Sequence, residues 1–511
     1  MSPPKKSPKT IMIKFSSILE FLDEPPLEFA GGQQAKSPRS GLTVFGPASS
    51  GGIDKPRSLS YAVIGTSSGV DQFTRFAQLL NQVILSPGNM DARLWPHFPG
   101  FEESFHAVFP VSPPFIETIE EKRLVLAATE KEDHARVYEV TNQYMNAIEA
   151  IAKKDTRVDF VICVVPEIIF KNCRPESHLQ EGHGFRISRK ERLLRQQGGD
   201  LFNSYDPRQY SFSLDFRRQI KARSMEFRLP IQIIRETSLL LSDECPFGQR
   251  QLTPLSDRAW NLSTALYYKS GGKPWKLPNA REGVCYVGIA FKQTDERGRT
   301  ACSAAQMFLD DGDGIVFLGD YGKWYSPETK QCHLDSASAE RLLRGVLHTY
   351  EQQHGKTLKE VFLHCRSSID SDEWAGYLAA CPKGVKLIGV QVTPYSNGFR
   401  AYRPGTRPIM RGSFWKLSET QAFLWASGFK PQLGTYDGSD VPEPLSIEVQ
   451  HGEADIRQVA TDILNLTKLN YNTCKLGEGQ PVTVRFSDAV GEILVSNRGA
   501  QEFLPNFKYY V

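Results

Sequence analysis

Short apolar runs that alternate with helical patterns constrain the fold of this chain most. Three runs, YAVIGT (61–66), VDFVICVVPE (158–167) and IQIIRE (231–236), are apolar enough to be buried strands. Between them, segments such as 70–85 carry apolar residues at helical spacing. Buried strands separated by helices are typical of a parallel, doubly wound sheet with helices on both faces. We therefore predict an α/β domain of Rossmann-like type over residues 56–278.

A second block of strands and helices begins near residue 280. The strand patterns are a first strand, a hairpin and two later strands, at 283–293, 300–309, 314–319, 359–365 and 386–392. A helix with serine at its start and glycine past its end spans 336–355. This order matches an RNase H-like layout, which we predict for residues 279–511. The Gly-, Pro- and Ser-rich residues 1–55 are predicted to form an irregular N-terminal extension.

Composition excludes several classes of protein. With 40% hydrophobic and 23% charged residues over 511 positions, the chain is ordinary globular material, too long for one small domain. The most apolar run, 158–170, is interrupted by charged residues and proline and is too short to span a bilayer. The basic, Pro-rich residues 1–10 do not form a secretory signal. Nine cysteines stand singly, which favours buried thiols over disulfides or structural zinc. We expect a cytoplasmic protein without a membrane partner.

The near-neutral total charge of +3 hides a basic stretch. Residues 171–228 contain 13 Lys and Arg against 7 Asp and Glu, an excess of six, so the remainder of the chain carries −3. Such a stretch can hold a polyanion, because phosphate contacts release counterions and so drive binding. A solvated, Arg-rich surface explains the charge equally well. Charge alone leaves both interpretations open.

Four residues in and after this stretch have the spacing of a phosphate site. Arg217 and Lys221 lie one turn apart in a predicted helix, 213–227, and share its polar face. Gln232 follows in an apolar strand, where its amide needs a partner, and Lys269 ends a predicted helix. Each has an ordinary alternative, since Lys269 suits a helix C-terminus and Gln232 can bond a neighbouring loop. As a set, the four side chains fit a bound phosphate better.

This set resembles the site that holds the guide's 5′ phosphate in the MID domain of Argonaute proteins. More of the chain is similar to short prokaryotic Argonautes, which have MID and PIWI domains and lack N and PAZ domains. The similar segments are EPPLEFAGGQ (24–33), SGLTVFGP (40–47), TALYYKSGGKPW (264–275), RPIMRGSF (407–414) and GTYDGSDVPEPLSI (434–447). The resemblance implies that residues 56–278 form the MID domain and residues 279–511 the PIWI domain. It also implies that Arg217, Lys221, Gln232 and Lys269 bind the guide's 5′ phosphate.

The resemblance implies a set of partners. A short Argonaute of this kind binds a guide RNA, recognises a complementary single-stranded DNA target and activates an effector carried by a separate APAZ-domain protein. That effector is a sirtuin-like or TIR NADase, or a nuclease. Its activation defends a prokaryotic host against plasmids and phage by killing or arresting the cell.

The resemblance also implies a role for the end of the sequence. In related proteins the C-terminal carboxylate reaches the MID pocket and helps to bind a divalent metal ion beside the guide phosphates. Val511, at the end of the apolar segment FKYYV, would supply this carboxylate, and Mg²⁺ would be the ion. One metal-site position of some relatives, four residues before Lys269, is Ala265 here. The alternative is a frayed tail.

The PIWI cleavage site is expected to be degenerate. PIWI domains cut with clustered carboxylates that hold two metal ions about 3.5–4 Å apart. The first carboxylate would stand where the sequence has Ala290, and another would end the strand that here runs into Arg366. Asp488 is the candidate for the final position, and a helix N-cap is its ordinary interpretation. We therefore expect an inactive PIWI domain and no enzyme activity in this chain.

Two other functions stay open. An active guide-dependent nuclease needs a carboxylate that the sequence does not reveal. A small-molecule enzyme that binds a nucleotide on the doubly wound sheet needs a Gly-rich phosphate loop, and the usual patterns are incomplete. A second group of Arg and aromatic residues, from Tyr395 to Arg411, is predicted either to contact a guide–target duplex or to form a surface loop.

Overall fold

The structure is a computed structural model of the chain. It describes residues 19–511 apart from gaps at 52–54, 89–90, 178, 180–183, 189, 193–206, 245–251, 279–280, 293–302, 309–313, 320–321, 323, 327, 329, 355–356, 395–398, 437, 439 and 498–503. At 51, 207, 303–308, 318 and 353–354 it describes the main chain alone. In the part of the chain so described, no helix has both the length and the apolar character needed to cross a bilayer.

The described part of the N-terminal segment contains three short strands and one α-helix. These are β1 (Leu19–Phe21), β2 (Leu27–Glu28), β3 (Gln34–Ala35) and α1 (Pro38–Phe45). Pro38 occupies the first turn of α1, and the Ser37 hydroxyl accepts a hydrogen bond from the Ser40 amide. Proline and a capping serine are a favourable way to begin a helix. The irregular conformation predicted for this segment is therefore wrong at α1.

The first domain is built on a four-stranded parallel sheet with the order β5-β4-β6-β7. Its strands are β4 (Tyr61–Gly65), β5 (Phe115–Thr118), β6 (Phe160–Val165) and β7 (Ile231–Arg235). Its helices are α2 (Ser67–Leu80), α3 (Phe101–Phe105), α4 (Glu121–Ala128), α5 (Asp133–Ala152), α6 (Glu167–Asn172), α7 (Phe216–Ser224) and α8 (Leu255–Lys269). The doubly wound fold predicted from the sequence is confirmed.

The central strand β6 explains why the buried strands could be predicted from apolar runs in the sequence. All of its residues are buried, because helices cover both faces of the sheet. Alternate residues of the strand enter two different cores. One core contains Ile162 and Val164, and the other contains Val161 and Cys163. A strand buried on both faces has no polar side to show, so it appears as a continuous apolar run.

The second domain is built on a nine-stranded mixed sheet with the order β1-β15-β16-β17-β14-β13-β8-β9-β10. Its strands, with the separate pair β11 and β12, are β8 (Val284–Phe291), β9 (Ser303–Phe308), β10 (Gly314–Leu318), β11 (Tyr325–Ser326), β12 (Gln331–Cys332), β13 (Glu360–Cys365), β14 (Lys386–Pro394), β15 (Ser413–Lys416), β16 (Gln421–Leu424) and β17 (Leu445–His451). Its helices are α9 (Ser336–His354), α10 (Ser371–Ala380), α11 (Ile456–Leu466) and α12 (Val482–Leu494).

Strand β8 lies at the centre of this domain and defines its topology. It pairs antiparallel with β9, which pairs antiparallel with β10, and on its other side it is parallel to β13. Strand β14 continues the parallel part. A meander of three strands joined to two parallel strands, with helices between them, is the RNase H-like arrangement predicted from the sequence, and the prediction is confirmed. The turn between β9 and β10 lies outside the described residues.

A buried ion network attaches the N-terminal segment to the second domain. Strand β1 pairs with β15 at the edge of the nine-stranded sheet. Just after it, Glu24 accepts hydrogen bonds from Arg411 at 2.7 Å and from Lys468 at 2.9 Å. Burial raises the pKa of Glu24, but the two cations outweigh that effect and hold it below its ordinary value. The segment is thus an integral part of the second sheet.

Candidate nucleic-acid interface

The helix that carries the basic pair is set in place by a cap and an apolar face. Asp215 begins α7 by accepting a hydrogen bond from the Arg218 amide at 2.9 Å. Phe216 and Ile220 pack into the core of the first domain. This orientation leaves Arg217 exposed at the start of the helix. Lys221, one turn later, is 3% exposed and points between the two domains towards the end of the sequence.

Lys221 and Lys269 converge on one main-chain oxygen. The Nζ atom of Lys221 lies 2.5 Å from the oxygen of Val511 and 3.0 Å from that of Tyr510. The Nζ atom of Lys269 donates to the same Val511 oxygen and lies 3.4 Å from the oxygen of Lys508. Lys269 is fully buried because it ends α8 against the segment 507–511. Two ammonium groups from separate helices therefore meet at one point.

The two ammonium groups are held at an electrostatic cost. Burial lowers the pKa of Lys221 well below its ordinary value, and the charges of Arg217 and Lys269 lower it further. Burial also lowers the pKa of Lys269 to about 7, with further contributions from Arg217 and Lys508. Among the residues that the structure describes, no acidic side chain contributes to either shift. A bound anion would relieve both the desolvation and the mutual repulsion.

Gln232 is placed less favourably than the lysines. It lies on β7, which is an edge strand, and it is half-buried there. Its Nε2 atom donates to the carbonyl oxygen of the next residue, Ile233, at 3.2 Å. Within the described part of the chain no hydrogen bond joins Gln232 to Lys221 or Lys269. The structure thus brings together Arg217, Lys221 and Lys269, and no contact in the described residues joins Gln232 to them.

The end of the sequence is docked in this pocket. Phe507, Tyr510 and Val511 are 2%, 1% and 6% exposed, and they belong to a core to which both domains contribute. The Tyr510 hydroxyl donates to the Leu504 carbonyl oxygen at 2.8 Å. The apolar pattern of FKYYV was the only sequence signal for this docking. The main-chain oxygens of Lys508 and Tyr510 were missed, since no side-chain pattern marks which carbonyl groups face a pocket.

The pocket does not fit a Mg²⁺ ion at Val511. The Val511 oxygen already accepts from two ammonium groups, which repel a divalent cation. Ala265, four residues before Lys269, has no atom that binds a metal. In the described ranges no group of three or more His, Cys, Asp or Glu residues is arranged to hold one. A Mg²⁺ ion beside the guide phosphates therefore stays a prediction.

In the second domain, the sequence positions expected to hold carboxylates do meet. Ile289 of β8 and Cys365 of β13 are paired, so the next residues, Ala290 and Arg366, are adjacent. Alternate residues of a strand share a face. On that face His364 Nδ1 lies 2.9 Å from Thr483 Oγ1, on the helix α12 that also carries Asp488.

Two basic side chains lie where β8, β13 and α12 come together. Arg366 Nη1 lies 2.5 Å from Asp488 Oδ2, and Lys292 Nζ lies 3.0 Å from Asp488 Oδ1. Lys292 also reaches Glu492 at 3.5 Å. Lys292 was missed from the sequence because it follows β8 by one residue and matches no motif. The carboxylate of Asp488 is therefore neutralised by two basic side chains.

The helix N-cap interpretation of Asp488 is wrong. Helix α12 spans Val482–Leu494 with Pro481 at its N-cap, so Asp488 lies in the helix interior. An aspartate inside a helix gives up the favourable capping geometry. Here its side chain instead makes the two ion pairs with Arg366 and Lys292.

The second basic and aromatic group does not form one surface. Arg411 is 1% exposed and belongs to the buried network with Glu24, so its predicted contact with a duplex is wrong. Arg403 and Arg407 stack over the ring of Phe429 at 5.0 and 4.6 Å. Tyr402 is 77% exposed, and Tyr395 lies outside the described residues. The exposed part is therefore the loop 400–407.

Comparison with known proteins supports the Argonaute resemblance. No protein-family model matches the chain. A 246-residue stretch, 46% of the chain, is 23% identical to the protein argonaute of Aquifex aeolicus (strain VF5), of which it covers 31%. The chain therefore spans about a third of this curated relative's length in that alignment.

Solved Argonaute structures have the same fold over nearly the whole chain. The structure of Clostridium butyricum Argonaute bound to a guide DNA and a 19-mer target DNA matches with a TM-score of 0.62 at 16% identity, covering 95% of this chain and 54% of that one. Aquifex aeolicus Argonaute with externally bound siRNA matches with a TM-score of 0.54 at 17% identity, covering 96% and 56%. The fold is thus that of a MID domain followed by a PIWI domain, and it corresponds to about half of an Argonaute.

Proposed function

We propose that this chain binds a guide nucleic acid through its 5′ phosphate and uses the guide to recognise a complementary single strand. The observation that carries the proposal is the convergence of Lys221 and Lys269 on one oxygen beside Arg217. A terminal phosphate carries about −1.5 to −2 charges at neutral pH and has three strong acceptor oxygens. Such a group matches three clustered cations in charge and in hydrogen-bonding capacity.

The end of the sequence would share this pocket with the guide. Where Val511 carries a free carboxylate, that group supplies one negative charge against the three cations. The excess positive charge can still bind a phosphate. The phosphate would displace or join the carboxylate at the ammonium groups, whose pKa values would then rise. The sequence resemblance makes RNA the guide and single-stranded DNA the target, whereas the C. butyricum structure contains a DNA guide. Both guide chemistries therefore belong in the test.

We also propose that the chain does not cleave its target. Supporting this, Asp488 is bound by Arg366 and Lys292, and Ala290 offers no ligand atom. A pair of metal ions needs several carboxylates around it, because each ion must be neutralised and coordinated. Recognition of a target would then act through a separate APAZ-domain effector, an NADase or a nuclease, in defence against plasmids or phage. This last step rests on the sequence resemblance alone.

A guide-binding measurement tests the proposal. Fluorescence anisotropy on the full chain compares 5′-phosphorylated with 5′-hydroxyl guides, in RNA and in DNA. We expect a preference for the phosphorylated guide that Arg217→Ala with Lys221→Ala removes, since a hydrogen bond to a charged group contributes about 1.5–3 kcal/mol. Lys153→Ala is a matched control, because Lys153 at the C-terminal cap of α5 is 72% exposed and pairs with Glu149. An unchanged preference in the double variant contradicts the site.

A further inference from the structure

The degenerate centre of the PIWI domain has more cations than it needs to neutralise Asp488. Arg366 and Lys292 both bind Asp488. The nearby Glu492 is shared between Lys292 at 3.5 Å and Arg218 at 3.0 Å. Three cations and two carboxylates leave one positive charge in this cluster. A structural ion pair would be satisfied with one cation for each carboxylate.

The cations retain donors that point to solvent. Arg366 is 44% exposed at its side chain, and it uses one N–H on Asp488 and another on Gln480 Oε1 at 3.1 Å. A guanidinium has five N–H donors, and an ammonium group has three. Lys292, 23% exposed, spends two of its three on carboxylates. Donors therefore remain for an oxygen-rich ligand.

A cavity lies beside the cluster. It has a volume of about 410 Å³, and its lining includes Gln480, the partner of Arg366, together with Arg485 and Leu445. This volume falls within the range of roughly 300–1,000 Å³ that is usual for small-ligand sites. Arg485 is 45% exposed at its side chain and pairs with Glu478, and the cavity lining also includes Glu443. Gln480 thus links Arg366, which does not itself line the cavity, to this space.

We propose that Arg366 and Lys292 form a metal-free contact for a backbone phosphate of the target strand. In an RNase H-like centre, metal ions supply the positive charge that holds a phosphate between carboxylates. Here two side-chain cations stand at the corresponding strand ends and supply that charge directly. Asp488 then acts as a positioning residue that keeps both cations at the surface. The proposal rests on the proposed function, because it needs a guide-loaded chain.

The test uses three variants of the cluster, of which the double variant preserves net charge. Asp488→Asn alone removes the carboxylate that competes with a phosphate. Arg366→Gln combined with Asp488→Asn removes one cation and one anion, so the total charge equals that of the natural chain. Arg344→Gln is the control, because Arg344 is 64% exposed and pairs with Glu340 on α9. Thermal unfolding shows whether each variant is folded. Lys292→Gln repeats the test without altering Arg366.

The measurement has two stages, which separate failure of the two proposals. Loading of a 5′-phosphorylated guide is measured first, and failure to load contradicts the proposed function. Affinity of the loaded chain for complementary single-stranded DNA is then measured across salt concentrations. We expect the double variant to bind the target roughly tenfold more weakly than Asp488→Asn. The slope of log affinity against log salt should fall by about one. Equal affinity and slope in Asp488→Asn and the double variant would overturn the proposal.

Discussion

Lys221 and Lys269 donate to the same oxygen, that of Val511, although they belong to different helices. Both ammonium groups are buried, and burial lowers the pKa of each. Buried cations that no acidic side chain of the described residues offsets destabilise a fold, so their presence favours a binding role. Substitution of Lys269 and a change of pH distinguish this binding role from a structural one.

Replacing Lys269 by methionine should change stability and guide affinity in opposite directions. Methionine keeps most of the apolar stem and removes the desolvated charge, so we expect the guide-free chain to unfold at a higher temperature. Affinity for a 5′-phosphorylated guide should fall about tenfold or more because a charged donor is lost. Calorimetry and anisotropy measure the two effects. A loss of both stability and affinity would indicate that the lysine is structural.

Phosphate recognition should weaken as the pH rises above neutrality. The pKa of Lys269 is about 7 in the guide-free fold, below its ordinary value of 10.5. The bound phosphate needs the protonated form, so the affinity difference between phosphorylated and hydroxyl guides should shrink from pH 7 to 9. The phosphate itself, with a second pKa of about 6, stays charged over this range. Lys269→Met should flatten the profile.

The lowered pKa of Lys269 also predicts that the stability of the guide-free fold increases as the pH rises. Between pH 7 and 10.5 the unfolded chain keeps a proton on Lys269 that the fold releases. The free energy of unfolding therefore rises with pH in this window. Denaturant unfolding of the guide-free chain at pH 7 and pH 9 measures the change. The rise attributable to Lys269 should be absent from Lys269→Met.

Glu24→Gln should destabilise the chain strongly. It would leave Arg411 and Lys468 buried without a counter-charge, and removal of one partner of a buried pair costs about 3–5 kcal/mol. The control is Glu20→Gln on the same segment, where a solvent-exposed pair with Arg457 at 2.9 Å is expected to contribute less than about 1 kcal/mol. Similar losses in the two variants, measured by denaturant unfolding, would show that the network does not anchor the N-terminal segment.

Gly288→Ala should disrupt the packing of α12 on β8, which positions Asp488. A Cβ atom at Gly288 would lie 1.8 Å from the carbonyl oxygen of Thr483, in the helix that carries Asp488. The helix would have to move away from β8, and overpacking of this kind costs about 1–3 kcal/mol or more. Gly88→Ala is the control, because a Cβ atom there meets no neighbour within 4 Å. Thermal unfolding compares the two substitutions, and equal transitions would refute the close contact.

Much of the fold could be predicted because its signals are local. The strand predicted at 61–66 is found at Tyr61–Gly65, and the helix predicted at 336–355 is found at Ser336–His354. Both follow from apolar periodicity within a short window. Predictions failed where a distant element decides the outcome. Arg411 looked like a surface cation because the buried carboxylate that binds it, Glu24, is far away in the sequence.

The candidate site shows the same division. The spacing of Arg217 and Lys221, and the position of Lys269 before two glycines, are sequence properties, and they were sufficient to predict a phosphate site. That the lysines share an oxygen of Val511 depends on how segment 507–511 packs between the helices. Gln232 was expected to be a buried amide, but β7 is an edge strand, and edge position is a property of the whole sheet.

The sequence by itself determined the two α/β domains, the basic pair one helical turn apart and the alanine at position 290, because periodicity and residue identity are written along the chain. Only the tertiary structure decided which charges meet. Arg366 follows β13, Lys292 follows β8 and Asp488 lies inside α12, and packing of that helix on the sheet brings the three within ion-pair distance. Coulombic and hydrogen-bond energies depend on distance in space, which no spacing along the chain specifies.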